Sequence, residues 1–312
     1  MIHPKEYNDN DLKNVGEIQG FLNEHEVEYK LKNNTFYLTD RSRAKDGRGY
    51  EIEYVPSYQY PIAYPKYGID GVDSDFFYKL SREAEDNNSF RLWIKDFEWQ
   101  HPRQGEVLKS YILHAAFKTP YNWYARECEI REVGTKEGRL FEDEHCFYGR
   151  RGASLSLGLY TKKDKYDVPA GTLVMLYTFG KNFFAKEVGE NITVEVIRVG
   201  TRRFSYVTGG SSKLFKHFLD NYKTMQIGKH VIDVRRCKFY VDYCHSVGNS
   251  MDNLSFKFDS YSGGGFMNYW LETGIAKQRE PMRHKWVMQQ MAEGKVLAIP
   301  NSGVKTLLME RE

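Results

Sequence analysis

The chain has 312 residues, of which 41% are hydrophobic and 28% are charged, a balance typical of soluble globular proteins. Its formal net charge is only +3, so the total charge does not by itself require a polyanionic partner. No apolar run approaches the roughly 18 residues of a membrane span, and the amino-terminal residues lack the apolar core of a signal peptide. We therefore expect a cytoplasmic protein that binds no membrane and keeps its four cysteines reduced.

The first part of the chain, residues 1–118, alternates between helical and strand patterns, which predicts a small α/β domain. Phe76, Leu80 and Ala84 share one face of a predicted helix. Pro120 forbids helix continuation and marks the end of the domain. The predicted elements are a helix at 17–30, strands at 35–40 and 49–56, a helix at 75–87, a strand at 90–99 and a helix at 105–117.

A second pattern follows Pro120, and we assign residues 119–312 to a second domain with a mixed sheet, so that the fold class is α/β (α+β). Two apolar stretches predict a hairpin around the polar loop 161–170. The tail 277–312 shows no pattern that predicts an element. The other predicted elements are strands at 123–132, 153–161, 171–180, 191–199, 238–244 and 266–272, and helices at 137–147, 211–222 and 249–256.

The stretch VTGGSSKLFKHFLDNY, residues 207–222, places two glycines and two serines directly before a helix. Free N–H groups and the dipole at a helix start favour an anion, and glycine lets a ligand approach the backbone closely. The pattern predicts an anion site formed by the backbone from Gly210 to Lys213, with the Lys213 side chain directed to the anion or to solvent. A turn that only begins the helix is the alternative, and the spacing of a Walker loop is absent.

The order of hairpin, long strand, basic turn, glycine loop, helix and strand resembles the GNAT acyltransferase superfamily. The resemblance implies that acetyl-CoA or a related acyl donor is a cofactor. Tyr206 stands where the family has Arg or Gln, and Met251 stands where many members have a tyrosine that protonates the leaving thiolate, so we expect weaker acyl-CoA binding than in ordinary members. The resemblance assigns Gly209, Ser211 and Asn249 to the cofactor, and the helix start adds Gly210, Ser212 and Lys213 as residues that would hold its phosphates.

Longer segments, among them YARECEIREV, FEDEHCFYGRRGASLSLGLY and GNSMDNLSFKF, resemble homing-endonuclease-like proteins of large phages. In these proteins a nuclease domain of the very-short-patch-repair type precedes a GNAT-like domain. The amino-terminal segments YEIEYVPSYQYPIAYPKYG, IKDFEWQ and EVLKSYI resemble the nuclease half. The resemblance implies a nuclease-like domain at 1–118, a GNAT-like domain at 119–312 and a location in the cytoplasm of an infected host cell.

Nucleases of this type need two or three carboxylates that converge on a divalent metal ion, which activates water. The resemblance assigns these roles to Glu53, Asp96 and Glu98, but Ala63 stands where a further acid is expected. We therefore expect a degenerate nuclease site, with weak or absent cleavage, in a domain that contacts DNA. Lys95 and Arg103 are candidate phosphate contacts.

The segment around Glu142 and His145 resembles the Mom family, phage proteins with a GNAT-like fold that modify adenine in DNA. The two residues share a helix face, a spacing that suits a metal-ligand pair or a general base with its orienting carboxylate. A histidine that caps carbonyls at a helix end is the alternative. The resemblance further implies that Arg198, Asp242 and Tyr269 act with them from neighbouring strands.

Arg202 and Arg203 lie among aromatic residues, a combination that suits phosphates and extruded bases, and we predict that both contact DNA. The leading hypothesis is a phage protein that binds double-stranded DNA and modifies its bases, as a Mom-like transferase. The alternatives are a homing-type, metal-dependent DNA endonuclease and a DNA-binding protein without catalytic activity.

Overall fold

The computed structural model of the protein describes residues 7–40, 47–56, 75–181, 193–228, 230–246, 248–273, 275–277 and 285–311. Helices and strands are both abundant in these ranges and the sheets are mixed, which confirms the predicted α/β fold class. None of the described helices is long and apolar enough to cross a membrane. The four cysteines are buried free thiols.

The regular elements are labelled in chain order. The helices are α1 (Asp9–Glu24), α2 (Phe76–Asp86), α3 (Asp96–Gln100), α4 (Pro102–Ala115), α5 (Thr135–His145), α6 (Gly210–Asn221) and α7 (Lys285–Ala292). The strands are β1 (Tyr29–Lys32), β2 (Thr35–Leu38), β3 (Gly49–Val55), β4 (Ser89–Lys95), β5 (Tyr121–Tyr124), β6 (Cys128–Glu132), β7 (Leu155–Thr161), β8 (Leu173–Lys181), β9 (Val194–Thr201), β10 (Ser205–Thr208), β11 (Thr224–Ile227), β12 (His230–Asp233), β13 (Arg236–Asp242), β14 (Lys257–Tyr261), β15 (Gly265–Trp270), β16 (Ile275–Lys277), β17 (Val296–Asn301) and β18 (Val304–Glu310).

Contacts between Cα atoms divide the chain into two compact units that interleave along the sequence. Unit 1 contains residues 1–105, 242–247 and 261–304, and unit 2 contains residues 106–241, 248–260 and 305–312. The division therefore differs from a single boundary near residue 118, because two later segments group with the amino-terminal residues. Sequence patterns report local structure, whereas this grouping depends on contacts between segments that are distant in the chain.

Unit 1 contains a four-stranded sheet in the order β1-β2-β3-β4, in which β3 and β4 run parallel and the other pairs are antiparallel. Helix α1 begins at Asn8, because the Asn8 side chain accepts the Asp11 N–H at 2.9 Å and Asp11 caps Asn8 in return. The helix therefore starts earlier than the predicted residue 17. On α2, the Phe77 ring stacks on Trp93 of β4 at 4.3 Å between centroids.

A second sheet in unit 1 has the order β16-β15-β17 and is antiparallel. Met267 of β15 and Ile299 of β17 pack against Phe97 of α3, and this shared apolar cluster explains why the later segment groups with unit 1. The tail for which no element was predicted contains α7, β17 and β18 among its described residues.

Unit 2 is built on a seven-stranded sheet in the order β14-β18-β13-β9-β8-β7-β6. The predicted hairpin is present as the antiparallel pair β7 and β8, and β13 runs parallel to β9 after the α6 crossover. Phe218 of α6 stacks on Phe179 of β8 at 3.9 Å, in the largest apolar cluster of the unit. The predicted strand 123–132 is divided into β5 and β6 by a 3-10 turn at Ala125–Glu127.

Candidate functional site

In unit 2, the carboxyl-terminal turn of α5 brings together three of the predicted catalytic residues. Glu142 and His145 lie one turn apart on α5 and are both buried. Arg198 of β9 is half-buried, and its Nε lies 3.5 Å from the carbonyl oxygen of Gly149 in the loop that follows α5. Burial raises the pKa of Glu142, and the positive charge of Arg198 is close enough to oppose that effect. We refer to Glu142, His145 and Arg198 as the α5 cluster.

The Glu142 carboxyl is buried but only partly satisfied. Its Oε2 accepts the Arg151 backbone N–H at 2.9 Å. Its Oε1 has no partner at hydrogen-bonding distance among the described residues. Burial raises the pKa of Glu142, and the opposing effects of the Arg151 N–H, the Arg198 charge and the nearby Thr178 hydroxyl are smaller. A carboxyl group in this environment can hold a proton closer to neutral pH than an exposed glutamate does.

His145 is neutral at neutral pH. Burial lowers the pKa of its imidazole to about 4, and Arg202 and Arg203 act in the same direction against the opposing charge of Glu144. Its Nδ1 accepts the Arg203 backbone N–H at 3.4 Å, and Nε2 lies 3.7 Å from Glu144 Oε1. Because Nδ1 is an acceptor here, this nitrogen does not cap a carbonyl of α5.

Arginines border the α5 cluster. Arg202 and Arg203 lie in the turn between β9 and β10, and both side chains are half-buried. The Arg203 guanidinium lies 3.5 Å from Glu144, and the exposed Arg150 lies 3.7 Å from Asp143. We call these three arginines the arginine rim. Arg202 and Arg203 lie close enough to His145 to lower the pKa of its imidazole, and positive charge beside a neutral histidine suits a phosphate-bearing ligand.

The other two predicted catalytic residues belong to unit 1 and have separate surroundings. Asp242 Oδ2 lies 2.7 Å from His245 Nδ1. The Tyr269 ring stacks on Phe97 at 4.3 Å, and burial together with the charge of Asp96 raises the pKa of Tyr269. The structure thus joins three of the five predicted residues in unit 2 and places two in unit 1, each with partners of its own.

The predicted nuclease acids do not converge. Glu53 is buried, accepts the Thr35 hydroxyl at 2.7 Å and lies 3.7 Å from Arg91. Burial raises the pKa of Glu53. Asp96 accepts the N–H of the next residue in the chain. Across the described part of the chain, no group of three or more His, Cys, Asp and Glu side chains could hold a metal ion. Ala63 lies outside the described residues.

The third acid, Glu98, is part of a buried charge network that the sequence analysis missed. Lys95 Nζ lies 3.2 Å from Glu98 Oε1, and both side chains are almost completely buried. Glu98 Oε2 lies 3.9 Å from His245 Nε2, and His245 in turn contacts Asp242. No local signal reveals this network, because the glutamate and the histidine lie in segments far apart in the chain.

The burial of Lys95 rules out one of the predicted DNA contacts. Lys95 has no exposed surface, so it cannot reach a phosphate on DNA, and its charge is neutralised by Glu98 instead. A lysine at the end of an apolar strand is ordinarily solvated, and only the counter-charge allows it to be buried here. Arg103, in the first turn of α4, is half-buried.

The glycine stretch at the start of α6 has structural roles in the described molecule. Gly209 has a positive φ of 74°, which favours glycine. A Cβ on Gly210 would lie 2.5 Å from Met175 Sδ and 2.9 Å from Val207 Cγ1, so core packing requires a glycine at this position. These observations fit the alternative of a turn that begins the helix.

The polar residues assigned to the cofactor also have defined positions. Lys213 Nζ donates to the carbonyl oxygens of Ala125 at 2.9 Å and Cys128 at 2.7 Å, so its ammonium is directed neither to solvent nor to an anion. Ser211 is half-buried and Ser212 is exposed in the first turn of α6. Asn249 begins a 3-10 turn at Asn249–Leu254.

No protein-family model matches the chain, and no curated protein matches it significantly. The resemblances to GNAT, homing-endonuclease-like and Mom proteins therefore stay predictions from the sequence.

Proposed function

We propose that the protein binds double-stranded DNA and modifies its bases, and that the α5 cluster carries the reaction. The observation that supports this most directly is the neutral, buried His145 one helical turn from a carboxyl group of raised pKa. Arg198 lies beside that carboxyl, and the arginine rim borders the pair. Proton acceptor, carboxyl group and cations are the groups needed to transfer a substituent to an amine on a base.

Each member of the α5 cluster has a role in this proposal. A base nitrogen forms the new bond to the acyl carbon of an activated donor, and the leaving group departs with the bonding electron pair. His145 Nδ1 releases the Arg203 backbone N–H, which it accepts at 3.4 Å, and takes the proton that the base nitrogen loses. Glu142 accepts a hydrogen bond from the base at Oε1, and Arg198 neutralises the negative charge that develops on the donor. The donor is acetyl-CoA or a related acyl compound, which is the class that the GNAT resemblance implies.

Unit 1 serves in this proposal as a degenerate nuclease-like domain that contacts DNA without cutting it. Glu53 and Glu98 are engaged by Arg91, Thr35 and Lys95, which leaves them poorly suited to bind a hydrated divalent cation. The described residues therefore give no specific observation in favour of the endonuclease alternative, which is an outcome of the test below.

The test is to express the protein with a plasmid, digest the recovered DNA to nucleosides and measure their masses. We expect a mass-shifted nucleoside with the wild type, and its loss with His145→Ala. His217→Ala is the matched control, because His217 is a half-buried histidine on α6 whose ring lies against Asn221 and Tyr222, away from the residues of the α5 cluster.

Unmodified nucleosides from the wild type, in a preparation that binds DNA, would contradict the proposal and favour a DNA-binding protein without catalytic activity. Magnesium-dependent nicking of the plasmid that Glu53→Ala abolishes would replace it with the endonuclease reading. Modification that persists in His145→Ala would place the reaction elsewhere in the molecule.

A further inference from the structure

Thr178, in the middle of β8, belongs to a row of polar side chains on the sheet of unit 2. It pairs with Arg198 of β9 on one side and with Ser156 of β7 on the other. Residues that pair directly across neighbouring strands point to the same face of a sheet. The side chains of all three residues therefore lie on one face, and we call Ser156, Thr178 and Arg198 the polar row.

Helix α5 lies across the polar row. A Cβ on Gly138 of α5 would lie 3.8 Å from Ser156 Oγ. Four residues of helix advance about 6 Å, which is close to the ~4.8 Å between neighbouring strands. Glu142 follows Gly138 by four residues on the same helix face, so it lies over Thr178 and Arg198. Burial raises the pKa of Glu142, and the Arg198 charge and the Thr178 hydroxyl both oppose that rise, which agrees with this placement.

The Thr178 hydroxyl is buried without compensation. Thr178 is 1% exposed, and within the described ranges its Oγ1 has no partner at hydrogen-bonding distance. Glu142 Oε1 is in the same state. A buried hydroxyl without a partner costs free energy, so the stability of the sheet gives no reason for a threonine at this position. An ionised carboxylate beside the hydroxyl does give one, because it is a strong acceptor for the single hydrogen bond that a threonine donates.

We infer that Thr178 is a positioning residue of the α5 cluster, whose hydroxyl donates to Glu142 Oε1 during the reaction and fixes the carboxylate towards the base. The inference rests on the proposed function. The carboxylate oxygen Oε1 has two lone pairs, so it accepts from Thr178 and from the base at the same time. Oε2 is already held by the Arg151 N–H at 2.9 Å, and Thr178 completes the orientation of the group. Hydrogen bonds of this kind are often long in the free protein and shorten when the substrate binds.

The test compares two substitutions of Thr178 in the full-length chain. Thr178→Val keeps the branched shape and removes the hydroxyl, whereas Thr178→Ser keeps the hydroxyl. Each variant is expressed with the plasmid, and the mass-shifted nucleoside is measured at early times to give an initial rate. We expect Thr178→Val to lower this rate about tenfold, since a hydrogen bond to a charged group contributes at least about that factor, and Thr178→Ser to keep most of it. The urea midpoint of Thr178→Val should not fall, because the free protein loses no hydrogen bond that the described residues make.

Thr161→Val is the matched control. Thr161 of β7 is as deeply buried as Thr178, but its Oγ1 donates to the Pro169 carbonyl oxygen at 2.8 Å and accepts the Thr172 N–H at 3.1 Å. Its hydroxyl therefore stabilises the folded chain. We expect Thr161→Val to lower the urea midpoint and to leave the initial rate of modification by the folded protein unchanged.

Three results would overturn the inference. The first is a wild-type rate of modification in Thr178→Val, and the second is a Thr178→Ser variant as slow as Thr178→Val. The third is a urea midpoint that falls as far in Thr178→Val as in Thr161→Val, which would make Thr178 a structural residue. A wild type that modifies no nucleoside contradicts the proposed function itself and removes the inference with it, so the wild-type measurement distinguishes the two failures.

Discussion

The buried pair of Lys95 and Glu98 offers a sharp test of the structure. The ammonium and the carboxylate lie 3.2 Å apart, and their side chains are 0% and 1% exposed. Glu98 also lies near His245, whose other ring nitrogen contacts Asp242. Replacing Lys95 with methionine preserves most of the apolar stem but leaves the Glu98 carboxylate buried without its principal counter-charge.

Removal of one partner from a buried ion pair destabilises proteins by about 3–5 kcal/mol, because the remaining charge is left uncompensated. We therefore expect Lys95→Met to lower the free energy of unfolding by about 3 kcal/mol or more. The double variant Lys95→Met/Glu98→Gln removes both charges and should cost clearly less than the sum of the single changes. Urea unfolding followed by linear extrapolation measures each value.

The matched control is Lys109→Met. Lys109 and Glu106 have the same three-residue spacing and lie 2.7 Å apart, but their side chains are 32% and 37% exposed. Because solvent screens such a pair, we expect a change of about 0–1 kcal/mol in the free energy of unfolding. If Lys95→Met and Lys109→Met destabilise the protein equally, the lysine of β4 is not a buried cation and the network described here is wrong.

Three further predictions concern pH, packing and DNA. The folded-state pKa of His245 is raised to about 9 from an ordinary value of 6.5. The contribution of His245 to stability is therefore complete below pH 6.5 and is lost as pH rises through 9. In the His245→Asn variant, the free energy of unfolding should depend less on pH across that window. Gly210→Val should destabilise unit 2 by about 1–3 kcal/mol, because the larger side chain overpacks against Met175. Gly20→Ala has open space around the new Cβ and should stabilise the protein by about 0.5–1 kcal/mol. Urea unfolding measures both changes. Binding to duplex DNA should weaken steeply with salt, and Arg203→Ser should reduce the slope of log affinity against log salt by about 1, measured by fluorescence anisotropy.

The elements that could be predicted from the sequence are those whose pattern is local. The hairpin of β7 and β8 and the amphipathic helix α2 follow directly from apolar spacing. In contrast, β18 lies between β14 and β13 in the sheet, so its position depends on strands that precede it in the chain by long segments. A tail without strong alternation gave no indication of that placement.

The residues of the candidate site likewise differ in whether the sequence alone could identify them. Glu142 and His145 could be found from the sequence because a helix brings residues three apart onto one face. The burial of Lys95 could not be predicted from the sequence, because the fold tolerates a buried lysine there only beside Glu98 and a histidine from a distant segment. Gly210 looked like part of an anion loop, but the reason for a glycine there is the side chain of Met175 on β8, which no local pattern reveals.

His145 and His245, which are both buried, show why the α5 cluster is the better candidate for proton transfer. Burial lowers the pKa of both imidazoles, so the neighbouring charges decide the outcome. At His245, Asp242 and Glu98 overcome burial and raise the pKa to about 9, which makes the ring a cation within an ion network. At His145 the arginines reinforce burial and the pKa falls to about 4, so the ring is uncharged at neutral pH and its Nδ1 can exchange the Arg203 N–H, at 3.4 Å, for a proton. A histidine that already carries its proton cannot take one from a reacting amine, whereas a neutral histidine beside a carboxyl group and the cations of Arg202 and Arg203 can.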